Sequence, residues 1–255
     1  MPAVTKSDSK EDLIERVGFK KYFKAERWED FNRQFFDGLA PKYDFINEIL
    51  TFGRQRAMRK KVIAEAAIAP SSLVLDLCTG TGEIAVLIGQ TYPGARIIAI
   101  DASERMLEIA GRRAEGLHRV RFQRADALCL PFNDGRFDVT IISFGLRNLR
   151  DLEKGLLEMK RVTAPGGRIV NLDLGKPRGT LKRLIYELYF MRFIPFLGAT
   201  VFHRGEFNSL KYLPESNRSF PSQGELVSIF RGLGLKDVRN FDFLCGAVAA
   251  QIGTV

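Results

Sequence analysis

Leu73-Val74-Leu75-Asp76-Leu77-Cys78-Thr79-Gly80-Thr81-Gly82 is the stretch on which the reading of this chain turns. A short apolar run of strand length holds an acid near its end and leads into a loop with two glycines. Glu83-Ile84-Ala85-Val86-Leu87-Ile88 then continues as a helix. Glycines at Gly80 and Gly82 let the backbone approach a ligand, and a helix N-terminus favours negative charge. The next strand, Arg96-Ile97-Ile98-Ala99-Ile100-Asp101, ends in a second acid 19 residues after Gly82. A carboxylate there can accept both ribose hydroxyls of an adenosine.

Working outward, the same texture repeats. Ser103 is a candidate N-cap for a helix carrying Met106, Leu107 and Ala110. Val120-Arg121-Phe122 reads as a third strand and Phe137–Ser143 as a fourth. A helical face of Leu149, Leu152, Leu156 and Met159 ends at Ala164-Pro165-Gly166-Gly167, and Arg168 to Leu172 is a fifth strand. Strand and helix alternate with connections too long for hairpins, which predicts an α/β fold with a parallel sheet covered on both faces. We divide the chain into a polar, loosely ordered N-terminus (1–24), N-terminal helices (25–70), the sheet core (71–174), an insertion (175–222), and a final helix with two strands (223–255). The helices are expected from Trp28, over Phe45 to Leu50, and over Arg54 to Ala67. The last strands are expected over Val238 to Phe243 and Ala247 to Ile252. The insertion is rich in aromatics from Tyr186 to Phe220 and would sit above the C-terminal edge of the sheet as a lid or substrate wall.

Composition removes several classes. Of the 255 residues, 45% are hydrophobic and 27% charged, as in an ordinary globular chain. Cys78, Cys129 and Cys245 are scattered and form no CxxC, so neither a disulfide framework nor a metal site is expected. The net charge is +9, and residues 175–255 carry 11 basic against 6 acidic side chains. Such an excess suits an anionic surface, nucleic acid or phospholipid, and is also compatible with a plain soluble enzyme. Met1 to Lys24 does not read as a signal peptide, and stretches such as Phe193 to His203 are too short to span a bilayer. The expected location is the cytoplasm, with peripheral attachment at the inner membrane face left open.

Two cofactor classes fit the loop. Nicotinamide dinucleotides ask for GxGxxG, and here Ala85 takes the third place, a substitution that is tolerated. S-adenosylmethionine carries a cationic sulfonium and no phosphate. Asp76, Asp101 and the Asp126-Ala127 pair, after three successive strands, suit that cofactor better. Among methyltransferases, adenine N-methylation wants an Asn/Asp-Pro-Pro-aromatic loop where this chain has Ser143-Phe144-Gly145-Leu146. Cytosine C5 methylation needs a Pro-Cys dipeptide, which is absent, and catechol methylation needs clustered carboxylates. A catalytically silent S-adenosylmethionine-binding subunit is the remaining alternative of a different class.

Several segments together carry a resemblance. They are Phe36-Asp37-x-Leu39-Ala40-Pro41-Lys42-Tyr43-Asp44-x-x-Asn47, Leu50-Thr51-Phe52-Gly53, Val74-Leu75-Asp76-Leu77, Leu130-Pro131-Phe132, Ser143-Phe144-Gly145-Leu146-Arg147-Asn148 and Pro165-Gly166-Gly167-Arg168. From about residue 33 to 250 the chain resembles the UbiE/MenG-type quinone C-methyltransferases of menaquinone and ubiquinone biosynthesis. The resemblance implies a class I methyltransferase sheet, Rossmann-like and mostly parallel with an antiparallel last strand, N-terminal helices over the cofactor, and a helical, aromatic lid. It implies S-adenosylmethionine contacts at Thr81, Asp101, Asp126, Ala127 and Ser143, with Ala102 beside them, and Tyr43 closing over the cofactor. Arg147 and Asn148 match the pair implicated in quinol activation.

The lid departs from the family, with Asn208-Ser209-Leu210-Lys211-Tyr212-Leu213 in place of Asp-Ser-Tyr-x-Tyr-Leu. The ending Gln251–Val255 departs too. The expected activity is C-methylation of a quinol, demethylmenaquinol first, with another phenolic or lipid-like small molecule as the alternative substrate. A ring carbon is a poor nucleophile until its hydroquinone loses a phenolic proton. Arg147 then serves as a fixed cation for the phenolate and Asn148 orients it, with water or another group taking the proton. Peripheral contact with an anionic membrane and a homodimer are the open partner expectations. Thr180 to Gly198, with Lys182, Arg183 and Arg192 among aromatics, is the segment expected to meet lipid. No nucleic-acid partner is expected.

Overall fold

The computed structural model describes residue 10 and residues 28–194, 196, 210 and 212–255. The N-terminal tail apart from Lys10, and the part of the lid holding His203 and Asn208-Ser209, therefore lie outside the described residues.

Helix α1 (Trp28–Leu39) has its apolar residues at helical spacing and buries Trp28, Phe31 and Phe35. Pro41 breaks it into a 3₁₀ turn (Ala40–Lys42), and α2 (Tyr43–Leu50) starts two residues earlier than the apolar pattern alone suggests. Helix α3 (Gln55–Glu65) packs Met58, Val62 and Ile63 inward and leaves Arg56, Lys60 and Lys61 in solvent.

The core alternates as expected: β1 (Leu73–Leu77), α4 (Glu83–Thr91), β2 (Arg96–Asp101), α5 (Glu104–Arg113), β3 (Val120–Arg124), β4 (Phe137–Ser143), a 3₁₀ turn (Leu146–Asn148), α6 (Leu152–Val162) and β5 (Thr163–Leu174). Ser103 caps α5 by accepting from the Met106 N–H at 3.1 Å. Beyond β5 come α7 (Thr180–Glu187), a π-helical turn (Leu188–Phe193), α8 (Tyr212–Arg218), α9 (Gln223–Gly232), β6 (Lys236–Phe243) and β7 (Val248–Thr254).

The seven strands lie in the order β3-β2-β1-β4-β5-β7-β6. β1 to β5 pair in parallel, and β7 inserts antiparallel between β5 and β6. Strand order reverses between β2-β1 and β4, so a crevice opens beyond the C-terminal ends of β1 and β4. β1 is buried from Val74 to Leu77, as expected of a central strand covered on both faces. One boundary differs from the sequence reading. Ala164-Pro165-Gly166-Gly167 does not separate α6 from β5; it is an irregular start of β5, where the pairing with β4 shifts register between Phe137 and Val139. Gly166 at φ +79° and two backbone bonds with Val255 hold it there.

Candidate active site

The crevice holds a cavity of about 500 Å³. Its walls carry Gly80, Asp101, Ala102, Asp126 and Ala127, with Tyr43 closing from α2 and Asn148 from the turn after β4. A much smaller polar cavity next to it is lined by Tyr43, Arg59, Asp76, Gly80, Thr81 and Ser143 among others. The fold thus brings ten of the candidate residues to two adjoining spaces. Gly82 and Arg147 line neither.

The two glycines have different reasons to be glycine. Gly80 is at φ +56°, and a Cβ there would meet nothing closer than the Tyr43 ring at 3.8 Å, so its backbone faces open cavity. Gly82, at φ +80°, lies against α5, where a Cβ would stand 2.8 Å from that of Ala110. It is the N-cap of α4 and a packing contact.

Asp101 has two tasks. One carboxylate oxygen accepts from the Gly80 N–H at 2.8 Å and the other from the Ser103 N–H at 2.9 Å. The acceptor capacity left on the carboxylate is open to a ligand hydroxyl in the cavity that Asp101 lines. Burial raises its pKa, and the N–H groups of Ser103, Gly80 and Ala102 oppose the rise. Asp76 is pushed up to about 7 by burial, against the hydrogen bonds of Thr79 and Ala85 and the charge of Arg59. Burial and the charges of Asp101 and Asp76 push the Cys78 thiol well up, away from the thiolate form. Thr81 is engaged by its own surroundings: its hydroxyl donates to Asp44 at 2.7 Å and accepts from Arg113 at 3.1 Å. Arg113 also pairs with Asp44, which ties α2 to the loop.

Orphaned polar atoms mark the small cavity. Asp76 Oδ1, Ser143 Oγ and Arg59 Nε are buried without a hydrogen-bond partner. Buried polar groups normally have a partner in protein, water or a ligand, and these three converge on one space. A ligand that is an amino acid at one end and an adenosine at the other fits both spaces. Its ammonium would meet Asp76, its carboxylate Arg59, its ribose Asp101 and its adenine the Asp126-Ala127 edge. S-adenosylmethionine has that constitution, and when bound it supplies an electrophilic methyl on a sulfonium.

Arg59 escapes the sequence reading because α3 looks uniformly basic. The signal is present in its phase: Arg59, Val62, Ile63 and Ala66 share one face, so one arginine lies on the buried stripe. It pairs with Glu83, donates to Gln55 at 2.8 Å, and stands 5.7 Å from the centre of the Phe144 ring.

The turn after β4 is strained and closely packed. Cys78 and Phe144 sit at φ +51° and +56°, and a Cβ on Gly145 would come 2.6 Å from that of Cys78. Arg147 is buried, with 5% of its side chain exposed, against Asp173 at 1%. Its Nη1 donates to Asp173 at 2.5 Å and to the Phe144 carbonyl at 2.7 Å, while its Nε has no partner. Burial works against its charge, but Asp173, Tyr43 and Tyr212 outweigh that and hold the guanidinium even more firmly protonated. Around it, Asn148 Oδ1 accepts from the Tyr212 hydroxyl at 2.8 Å, and Trp28 Nε1 donates to the Asn148 carbonyl at 2.9 Å. Lys10 Nζ reaches the Arg147 carbonyl at 2.6 Å, and burial and Arg147 lower its pKa to about 8. Among the described residues no group of His, Cys, Asp and Glu is placed to hold a metal ion.

Comparison with known proteins agrees with this geometry. The profile of the ubiE/COQ5 methyltransferase family matches residues 24–255. Demethylmenaquinone methyltransferase of Thermus thermophilus is 41% identical over 220 residues, which is 86% of this chain and 98% of that protein. Ubiquinone/menaquinone biosynthesis C-methyltransferase UbiE of Geotalea uraniireducens is 36% identical, over 87% of this chain and 94% of its own. A SAM-dependent methyltransferase from Aquifex aeolicus shares the fold at a TM-score of 0.58 and 19% identity, covering 83% of this chain and 97% of that one. With the profile spanning the helices, the crevice and the final strands alike, this chain belongs to the ubiE/COQ5 methyltransferase family.

Proposed function

We propose that this enzyme transfers the methyl group of S-adenosylmethionine to a ring carbon of a membrane-borne quinol, demethylmenaquinol first. The observation that carries the reading is the buried Arg147, locked in its charged form by Asp173, with its Nε–H unpartnered and its Nη1 sharing the Phe144 carbonyl with the Asn148 amide. An arginine so placed cannot act as a base; it is a fixed donor for an oxygen that becomes negative. The quinol hydroxyl gives its proton to water or another group, the ring carbon of the resulting phenolate takes the methyl as the donor's sulfur–methyl bond breaks, and loss of the ring proton restores the aromatic quinol. Arg147 and Asn148 favour that phenolate, and the enclosed crevice fixes the approach of the two reactants. Tyr43 from α2 and Phe144 line the same cavity. The test is turnover with a labelled methyl donor and a panel of demethylquinols and soluble phenols. Label should enter demethylmenaquinol in preference to the soluble phenols; preference for a soluble phenol contradicts the substrate assignment.

The lid surface supports contact with a membrane. Leu181, Leu184 and Ile185 on α7 and Leu188 at the start of the π-helical turn are each 59–70% exposed, and Phe52, 65% exposed, sets its ring 5.1 Å from that of Tyr189 in a tilted contact. Lys182 and Arg192 stand exposed beside them, whereas the charge of Arg183 is matched by Glu187 at 2.8 Å. Two cations near an anionic bilayer give about 2 kcal/mol that salt removes, and the apolar face adds a part that salt leaves. The protein is expected to co-sediment with anionic liposomes at low salt, and Leu184→Glu with Leu188→Glu to abolish the salt-resistant part. Wild type that ignores anionic liposomes even at low salt contradicts this. No described helix is long and apolar enough to cross a membrane.

A further inference from the structure

The side-chain amide of Asn148 has an orientation fixed by its neighbours. The Phe144 carbonyl can only accept, and Asn148 Nδ2 faces it at 3.1 Å. That leaves Oδ1 for the Tyr212 hydroxyl, which donates to it at 2.8 Å in a buried setting. With these two bonds made, the second N–H of Nδ2 is the donor left to Asn148, and Asn148 lines the large cavity. Tyr212 itself does not line that cavity. Its ring is clasped by α1, with centroids 4.7 Å from Phe35 and 6.4 Å from Phe31 and Phe36. Burial raises the pKa of its phenol, with the charge of Arg147 opposing, so the hydroxyl stays a donor across the working pH range.

We propose that Tyr212 is a positioning residue: it holds the Asn148 amide oxygen, so that Asn148 meets the substrate with N–H and donates to the developing phenolate. The inference rests on the reading of Arg147 and Asn148 as the oxyanion site. It assigns to the substrate an oxygen acceptor at this point and links α1, which covers the cofactor, to the reacting end through one hydroxyl.

Tyr212→Phe removes only that hydroxyl and keeps the ring packing. With a short-tailed demethylmenaquinol, kcat should fall about tenfold, as expected for a loosened oxyanion donor. A phenolate that is less well stabilised ionises at higher pH, so the acidic limb of the kcat–pH profile should move up by about one unit. S-adenosylmethionine affinity should stay within about twofold, because the Tyr212 hydroxyl bonds to the Asn148 side chain and Tyr212 itself does not line the cavity. Tyr212→Phe combined with Asn148→Ala should be no slower than Asn148→Ala alone, since both act through one group. A folded Tyr212→Phe enzyme with an unmoved acidic limb, while Asn148→Ala is slow, overturns the role of Tyr212 and leaves the oxyanion site standing. Normal turnover in both single variants overturns the oxyanion site and this inference with it.

Discussion

Arg147→Ala is expected to lower kcat by about 10²–10³ while leaving S-adenosylmethionine affinity nearly unchanged. Loss of an oxyanion donor costs roughly 2.7–4 kcal/mol of transition-state stabilisation in a water-poor site. The side chain lines neither cavity wall of the cofactor cleft, which is why binding and turnover should separate. Removing Arg147 also leaves Asp173 buried without its partner, a change that destabilises by about 3–5 kcal/mol when a buried pair is broken. Arg147→Lys distinguishes the two effects: it keeps a cation for Asp173 but loses the fork of donors, so stability should recover more than kcat does. Steady-state kinetics alongside thermal melts would check this. Near-normal turnover in Arg147→Ala would assign Arg147 a structural role only.

Asp101→Ala is expected to weaken S-adenosylmethionine binding by at least about tenfold. Hydrogen bonds to a charged acceptor contribute about 1.5–3 kcal/mol, and 1.4 kcal/mol is one decade of affinity. The structure raises this expectation, because the same carboxylate also anchors the Gly80 N–H of the loop and the Ser103 N–H before α5. Calorimetry should therefore show both a weaker constant and a smaller enthalpy. Unchanged affinity in a folded variant contradicts the assignment. Asp76 adds a pH dependence to the same measurement. Its carboxyl titrates at about 7 without ligand. A ligand ammonium favours the ionised form, so affinity should rise as pH is raised from 6 to 8 and the rise should vanish in Asp76→Asn.

The cofactor half of the site was legible in the sequence, for reasons that are local. Strand, loop and helix follow one another within a dozen residues, and the ends of β1, β2 and β3 fall together because parallel strands end on one side. Asp76, Asp101 and Asp126 therefore announce themselves by position along the chain. The reacting end is different. Asp173 reaches Arg147 from 26 residues away, and Tyr212 reaches Asn148 from 64 residues away across the lid. No spacing rule links such residues; only tertiary packing does. Tyr212 stood among many lid aromatics, and nothing in its immediate sequence singled out its hydroxyl. Arg59 lay hidden in a helix whose other basic residues face water, although its phase on the apolar stripe marked it. The irregular start of β5 escapes the sequence reading because Pro-Gly-Gly looks only like the end of the preceding helix. Here backbone bonds to Val255, at the far end of the chain, hold those residues to the sheet.

Carbon methylation through a phenolate held by Arg147 and Asn148 is tested most directly by the position of the transferred methyl. Demethylmenaquinol should be incubated with a carbon-13-labelled methyl donor and the product examined by nuclear magnetic resonance after extraction. A single labelled methyl is expected on the ring carbon, in the chemical-shift range of an aryl methyl, with both ring hydroxyls still free. A labelled methyl on oxygen, an aryl methyl ether, would contradict it.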